Sequence, residues 1–101
     1  MGAAGEFVAS VETGITVRYW AAARAAAGIA EETFPGPSTL GALRAGILER
    51  HPGSGQLPGV LGVCSVLVDG RQPVGPPNAT QGEVVVDAGS TVEFLPPFAG
   101  G

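Results

Sequence analysis

A chain of 101 residues with nine acidic side chains against five arginines and no lysine has room for one domain with a single modest core. Its net charge of −4, with no cluster of basic residues, argues against nucleic acid and against an anionic membrane surface as partners. No secretory-signal layout opens the chain and no apolar run reaches the ~18 residues of a membrane span, so a soluble cytoplasmic protein is expected. The lone Cys64 excludes an internal disulfide and a cysteine-built metal site.

Residues 1–14, MGAAGEFVASVETG, carry no clear period and are predicted to be a loose N-terminal extension, with the domain proper at 15–101. ITVRYW alternates, with Ile15, Val17 and Tyr19 on one face, and predicts a strand. AAARAAAG favours helix but is short, which predicts a turn or two stopped at Gly28. AEETFPGP alternates again, with Ala30, Glu32 and Phe34 on one side, and predicts a second strand ending at Pro35-Gly36-Pro37.

The clearest helix runs from Thr39 to Arg50. Ser38 or Thr39 can cap its first amides, and Leu40, Leu43, Ile47 and Leu48 form one apolar stripe. That stripe is expected to be buried against Val17, Phe34, Leu67 and Phe94. His51-Pro52-Gly53 ends the helix, and His51, the only histidine, is given no further role. GSGQLPG resembles a nucleotide loop only superficially, since its spacing is wrong and it follows a helix; it reads as a connection. VCSVLV is almost continuously apolar and predicts a strand at the centre of the sheet, with Cys64 as a small buried hydrophobe. Asp69-Gly70 signals a hairpin with RQPV as the short return. GPPNATQG is loop by composition, and EVVV, the turn DAGS and TVEFLPP give a last pair of extended segments. Val92 and Phe94 share one face. Two strands, one main helix and further strands predict an α+β fold, a mixed four- or five-stranded sheet covered on one face by that helix.

The end of the chain, LPPFAGG, points to function. Pro96 and Pro97 lack N–H donors and fix φ, so the chain is expected to leave the sheet there as a stiff arm. Phe98 is an apolar side chain on that arm, a candidate anchor at the mouth of a partner's tunnel. Ala99, Gly100 and Gly101 then form a narrow thread that leaves the terminal carboxylate unshielded.

From residue 15 to residue 101 the sequence resembles the ubiquitin-like sulfur carriers of the MoaD/ThiS family, most closely its molybdopterin-synthase small subunits. The resemblance rests on the ββαββ order, ARAAAG, the LVDG hairpin and above all VEFLPPFAGG. The N-terminal extension and the Pro/Asn-rich stretch at 75–81 depart from the family pattern. The resemblance implies a ubiquitin-like β-grasp and a chain that is not an enzyme by itself. In that family a ubiquitin-activating-type (MoeB-like) enzyme, using ATP and magnesium, adenylates the carboxylate corresponding to Gly101. Sulfur from a donor protein makes it a thiocarboxylate, and the tail enters a MoaE-like large subunit of molybdopterin synthase, which passes the sulfur to a pterin precursor. The implied partner-binding residues are Pro96, Pro97, Phe98, Ala99, Gly100 and Arg24. By itself, Arg24 among alanines reads as a solvated charge; its family-like position makes it a candidate contact to an acidic partner surface. Other readings are a carrier serving thiamine or cysteine synthesis, a modifier joined to lysines of other proteins, and a plain interaction module.

Overall fold

In the computed structural model, which describes residues 14–73 and 80–97, alternation sets the first strand, β1 (Gly14–Tyr19). Ile15, Val17 and Tyr19 are buried and Arg18 is exposed. Gly14, read from sequence as part of the extension, pairs with Pro35 and opens the strand; residues 1–13 lie outside the described residues. The short helix α1 (Ala21–Ala27) stops as expected, because Gly28 takes the left-handed conformation at φ 79 and donates its N–H to the Arg24 carbonyl. β2 (Glu31–Pro35) returns antiparallel to β1, with Ile15 opposite Phe34.

β3 (Ser38–Thr39) runs directly into α2 (Leu40–Arg50). The Ala42 N–H donates to Thr39 Oγ1 at 3.1 Å, the cap that the sequence predicts. Leu40, Leu43 and Ile47 are buried in a cluster with Val17, Phe34 and Phe94, and half-buried Leu48 packs against it.

Three expectations are corrected beyond α2. A third helix, α3 (Leu57–Val63), occupies much of what reads as a loop. Leu57 and Leu61, one turn apart, are its buried residues, and the helix packs against α1. Pro58 sits in its first turn, where no intrahelical N–H is needed, so the proline is compatible with the helix. Next, β4 (Ser65–Val68) is shorter than predicted and lies at the edge of the sheet, whose order is β2-β1-β6-β4. Val66 faces the core, so Leu67 points to the other side of the sheet and is half-buried there; Val66 takes the place expected of Leu67. Third, Asp69 and Gly70 form the hairpin turn at φ 52 and 79, but the return is a single bridge between Val68 and Arg71.

After a 3₁₀ turn at Gln81–Glu83, β5 (Val85–Val86) pairs with β3 in a separate two-stranded sheet. β6 (Thr91–Leu95) then enters the main sheet, parallel to β1 and antiparallel to β4. Residues 74–79, most of the predicted 75–81 loop, lie outside the described residues, while Gln81 opens the 3₁₀ turn. The main sheet therefore has four strands, with α2 on the core side.

Ile47 is fully buried, so Ile47→Ala is expected to cost about 2–5 kcal/mol, and Leu48→Ala clearly less. Urea unfolding of the two variants checks the difference.

Candidate functional site

The point where the tail leaves the body is set by β6. Val92 lies opposite Val17 and Phe94 opposite Tyr19, with both β6 side chains fully buried. The Trp20 N–H donates to the Phe94 carbonyl at 3.2 Å, which joins the end of β6 to the start of α1. Leu95, opposite Ser65, is the last strand residue. Pro96 is still buried and Pro97 is exposed, so the arm separates from the body one residue later than the sequence implied. A proline ring needs no donor, and Pro96 can pack where a residue with a free N–H would need a partner. Phe98, Ala99, Gly100 and Gly101 lie outside the described residues.

Two exposed apolar side chains flank this exit. Trp20 is 41% exposed beside the end of β6, and Val63, 63% exposed, closes α3 two residues before β4. Trp20 is held in place: its indole N–H donates to Glu93 Oε2 at 3.1 Å, and the Arg18 guanidinium lies 5.3 Å from its ring centroid. Neither residue was singled out from the sequence, although Trp20 directly after an alternating strand was the available signal. Arg24 is exposed one turn into α1, beside a shallow groove lined by Ala21, Ala25, Gly28, Ile29 and Ala30.

A second group of polar side chains was also missed. Glu32 points inward from β2, its side chain 8% exposed, and its carboxylate gathers three donors. Tyr19 Oη donates to Oε2 at 2.5 Å, His51 Nε2 shares that oxygen at 2.6 Å, and Arg50 Nη1 reaches Oε1 at 3.2 Å. The sequence held the clue, because Glu32 shares a strand face with Phe34, and a carboxylate on a buried face requires partners. Burial alone would raise the Glu32 carboxyl, but hydrogen bonds from Tyr19, His51 and Arg50 outweigh it and hold the group below its ordinary value. Burial, then the neighbouring carboxylate, pushes the Tyr19 phenol up.

Cys64 is half-buried between α3 and β4, and its thiol donates to the Val60 carbonyl at 3.1 Å. Burial raises its pKa, with Arg44 opposing in part, which favours the thiol over the nucleophilic thiolate. Among the described residues no group of three or more His, Cys, Asp or Glu side chains is placed to hold a metal ion, and no helix is long and apolar enough to cross a membrane.

The family model described as the ThiS family matches residues 17–101. No curated protein sequence matches the chain. Among solved structures, a putative molybdopterin converting factor subunit 1 from Pyrococcus furiosus is similar at 22% identity and TM-score 0.64, covering 85% of this chain and 99% of that one. The small archaeal modifier protein 1 from Methanosarcina acetivorans is similar at 19% identity and TM-score 0.66, covering 88% and 97%. Subunits 1 and 2 of the molybdopterin-converting factor from Helicobacter pylori, solved as a complex, give a match at 23% identity and TM-score 0.55, covering 87% and 99%. These likenesses carry the fold, the ubiquitin-like β-grasp that the family resemblance implied and with which the order of elements agrees.

The Glu32 cluster makes stability depend on pH at the acid end. A folded pKa below the unfolded value of about 4.3 means that its contribution is complete above that value. It is lost as pH falls through the folded value. Glu32→Gln is therefore expected to lower stability near neutrality and to flatten the decline on acidification, as read from urea midpoints between about pH 7 and 3.

Proposed function

The chain belongs to the ThiS family of ubiquitin-like sulfur carriers, and on that premise we propose that it is the small, sulfur-carrying subunit of a molybdopterin synthase. The observation that carries this reading is the C-terminus. The family match runs through residue 101, and the chain ends FLPPFAGG beyond a strand anchored at the centre of the sheet. The structures of molybdopterin-converting subunits, one of them in complex with its subunit 2, support a larger partner subunit of that kind. Six residues follow Leu95, a reach of at most about 20 Å when extended. With Phe98 at the mouth of a tunnel in a large subunit, Ala99, Gly100 and Gly101 enter it to a depth of about 10 Å. Trp20 and Val63 offer apolar surface at the tunnel mouth, and Arg24 offers a cation to an acidic partner.

The chemistry explains why activation is needed. A free carboxylate is a poor acyl donor because oxide is a poor leaving group. An adenylating partner joins a Gly101 oxygen to the α-phosphorus of ATP, with magnesium, and releases pyrophosphate. A donor persulfide attacks the carbonyl carbon and AMP leaves with the original oxygen. A second thiol then breaks the S–S bond, so the thiocarboxylate departs as a disulfide forms on the donor. This chain supplies the reacting carbon and its approach path; the acid and base groups belong to its partners. Likeness to the small archaeal modifier protein favours a second reading, attachment of Gly101 to lysines of other proteins. A covalent ladder on denaturing gels, in place of a thiocarboxylate, would establish it.

Intact mass spectrometry with ATP, an adenylating enzyme and a sulfur donor separates the readings. Wild type should gain the oxygen-to-sulfur mass difference, whereas Gly100→Val and deletion of Gly101 should not load while melting as wild type does. Loading of either variant at the wild-type rate would refute the proposal. Phe98→Ala should weaken binding of the large subunit by about 1–3 kcal/mol with little change in melting temperature, as titration calorimetry and thermal unfolding would show.

A further inference from the structure

A four-stranded open sheet has two edges, and unpaired edges invite another strand. The β4 edge is partly closed by its own hairpin, since the outward Val68 N–H donates to the Arg71 carbonyl at 2.7 Å. Among the described residues, no strand pairs with the outer side of β2. Its hydrogen-bonding pattern follows from the register with β1. The Tyr19 N–H donates to the Ala30 carbonyl, and alternation along an antiparallel pair then directs Glu32 and Phe34 toward β1. Glu31 and Thr33 turn their backbone groups outward, as does Pro35, which has no N–H.

Arg50 occupies the middle of this edge. Its Nη1 donates to the outward Thr33 carbonyl at 2.9 Å and lies 3.2 Å from Glu32 Oε1. Its guanidinium carbon sits 3.8 Å from the centroid of the Phe34 ring. The same side chain therefore takes the central edge acceptor, pairs with a buried carboxylate and stacks on an aromatic ring, contacts that hold it across the groove between β2 and the end of α2.

We propose that Arg50 guards the β2 edge against a second copy of this chain, preventing β2-to-β2 pairing. The second copy is the fitting occupant because an antiparallel edge strand is complementary to itself about a two-fold axis. With Thr33 on that axis, the two Thr33 residues exchange N–H and C=O. Each Glu31 then lies opposite Pro35 of the other copy, not opposite the other Glu31. Glu31 is also already paired with Arg18 at 3.5 Å, so its charge is a weak barrier. Arg50 is the group that must move for the pairing to form.

Sedimentation velocity on the full chain tests it. Arg50→Met keeps an unbranched stem over Phe34 but has no donor for Thr33, and it is expected to raise the self-association constant about tenfold or more. Adding Thr33→Pro removes the outward N–H without costing a bond to β1 and should return association to the wild-type level. If Arg50→Met fails to fold by circular dichroism, Glu32→Gln/Arg50→Met, which leaves no unpaired carboxylate, is read in its place with the same expectation. A folded variant that associates no more than wild type overturns the proposal. So does association that persists with Thr33→Pro, because it would then use another surface.

Discussion

The parallel pairing of β1 with β6 is the contact on which the rest of the molecule depends. It joins the first and last described strands at the centre of the sheet, with Val17 against Val92 and Tyr19 against Phe94. A pairing so distant along the chain carries the largest loop-closure cost, which is recovered through the core that forms on it. Fully buried Ile15, Val17, Val92 and Phe94 form the floor onto which α2 places Leu40 and Ile47. The same pairing determines where and in what direction Leu95 ends. On the proposed reading, a tail that presents its terminal carbon to another protein starts from a strand held on both sides, with Pro96 still buried and Pro97 exposed.

Parts of this were legible in the sequence because their signals are local. Alternation marked β1 and β6, Thr39 marked the start of α2, and Gly28 marked the end of α1. The parts that were not legible depend on distant partners. Helix α3 shows only Leu57 and Leu61 as buried positions, set among glycines, and what stabilises it is packing against α1. Nothing within VCSVLV tells a central strand from an edge strand; β4 lies at the edge because β6, arriving later, takes the central place. The tail motif stands in the sequence as a local pattern, with residues 98–101 outside the described residues, whereas the apolar side chains near its base carried no local signal of their placement. Trp20 and Val63 are far apart in sequence, and each is brought toward the end of β6 separately, Trp20 by its bond to Phe94 and Val63 by the pairing of Ser65 with Leu95.

The inward carboxylate of Glu32 is the costly element of the design. Placing it beside Phe34 on the buried face of β2 requires three donors from separate places: Tyr19 on β1, Arg50 at the end of α2 and His51 just beyond it. A buried charge that is paired and fully hydrogen-bonded adds little net stability over an apolar residue, yet losing any one partner is expensive. Its effect is therefore best described as specificity. It fixes the end of α2 over β2, and it keeps the Arg50 guanidinium on the strand edge when solvent would otherwise compete for it.

A carrier of this kind faces conflicting requirements. On the proposed reading its reactive end must be bare and narrow, which are properties that make a segment adhesive to other strands and other proteins. Its body must not add further adhesive surface. Proline at 96 and 97 removes two donors from the arm, so the arm cannot extend β6 into a ladder with another chain. The hairpin closes part of one sheet edge, and Arg50 with Pro35 closes much of the other. The large apolar side chains left exposed among the described residues are Ile29, Val85 and, near the end of β6, Trp20 and Val63. Backbone pairing is limited at both edges while Trp20 and Val63 leave apolar contact open near the exit, which on the proposed reading is where a partner grips to receive the C-terminus.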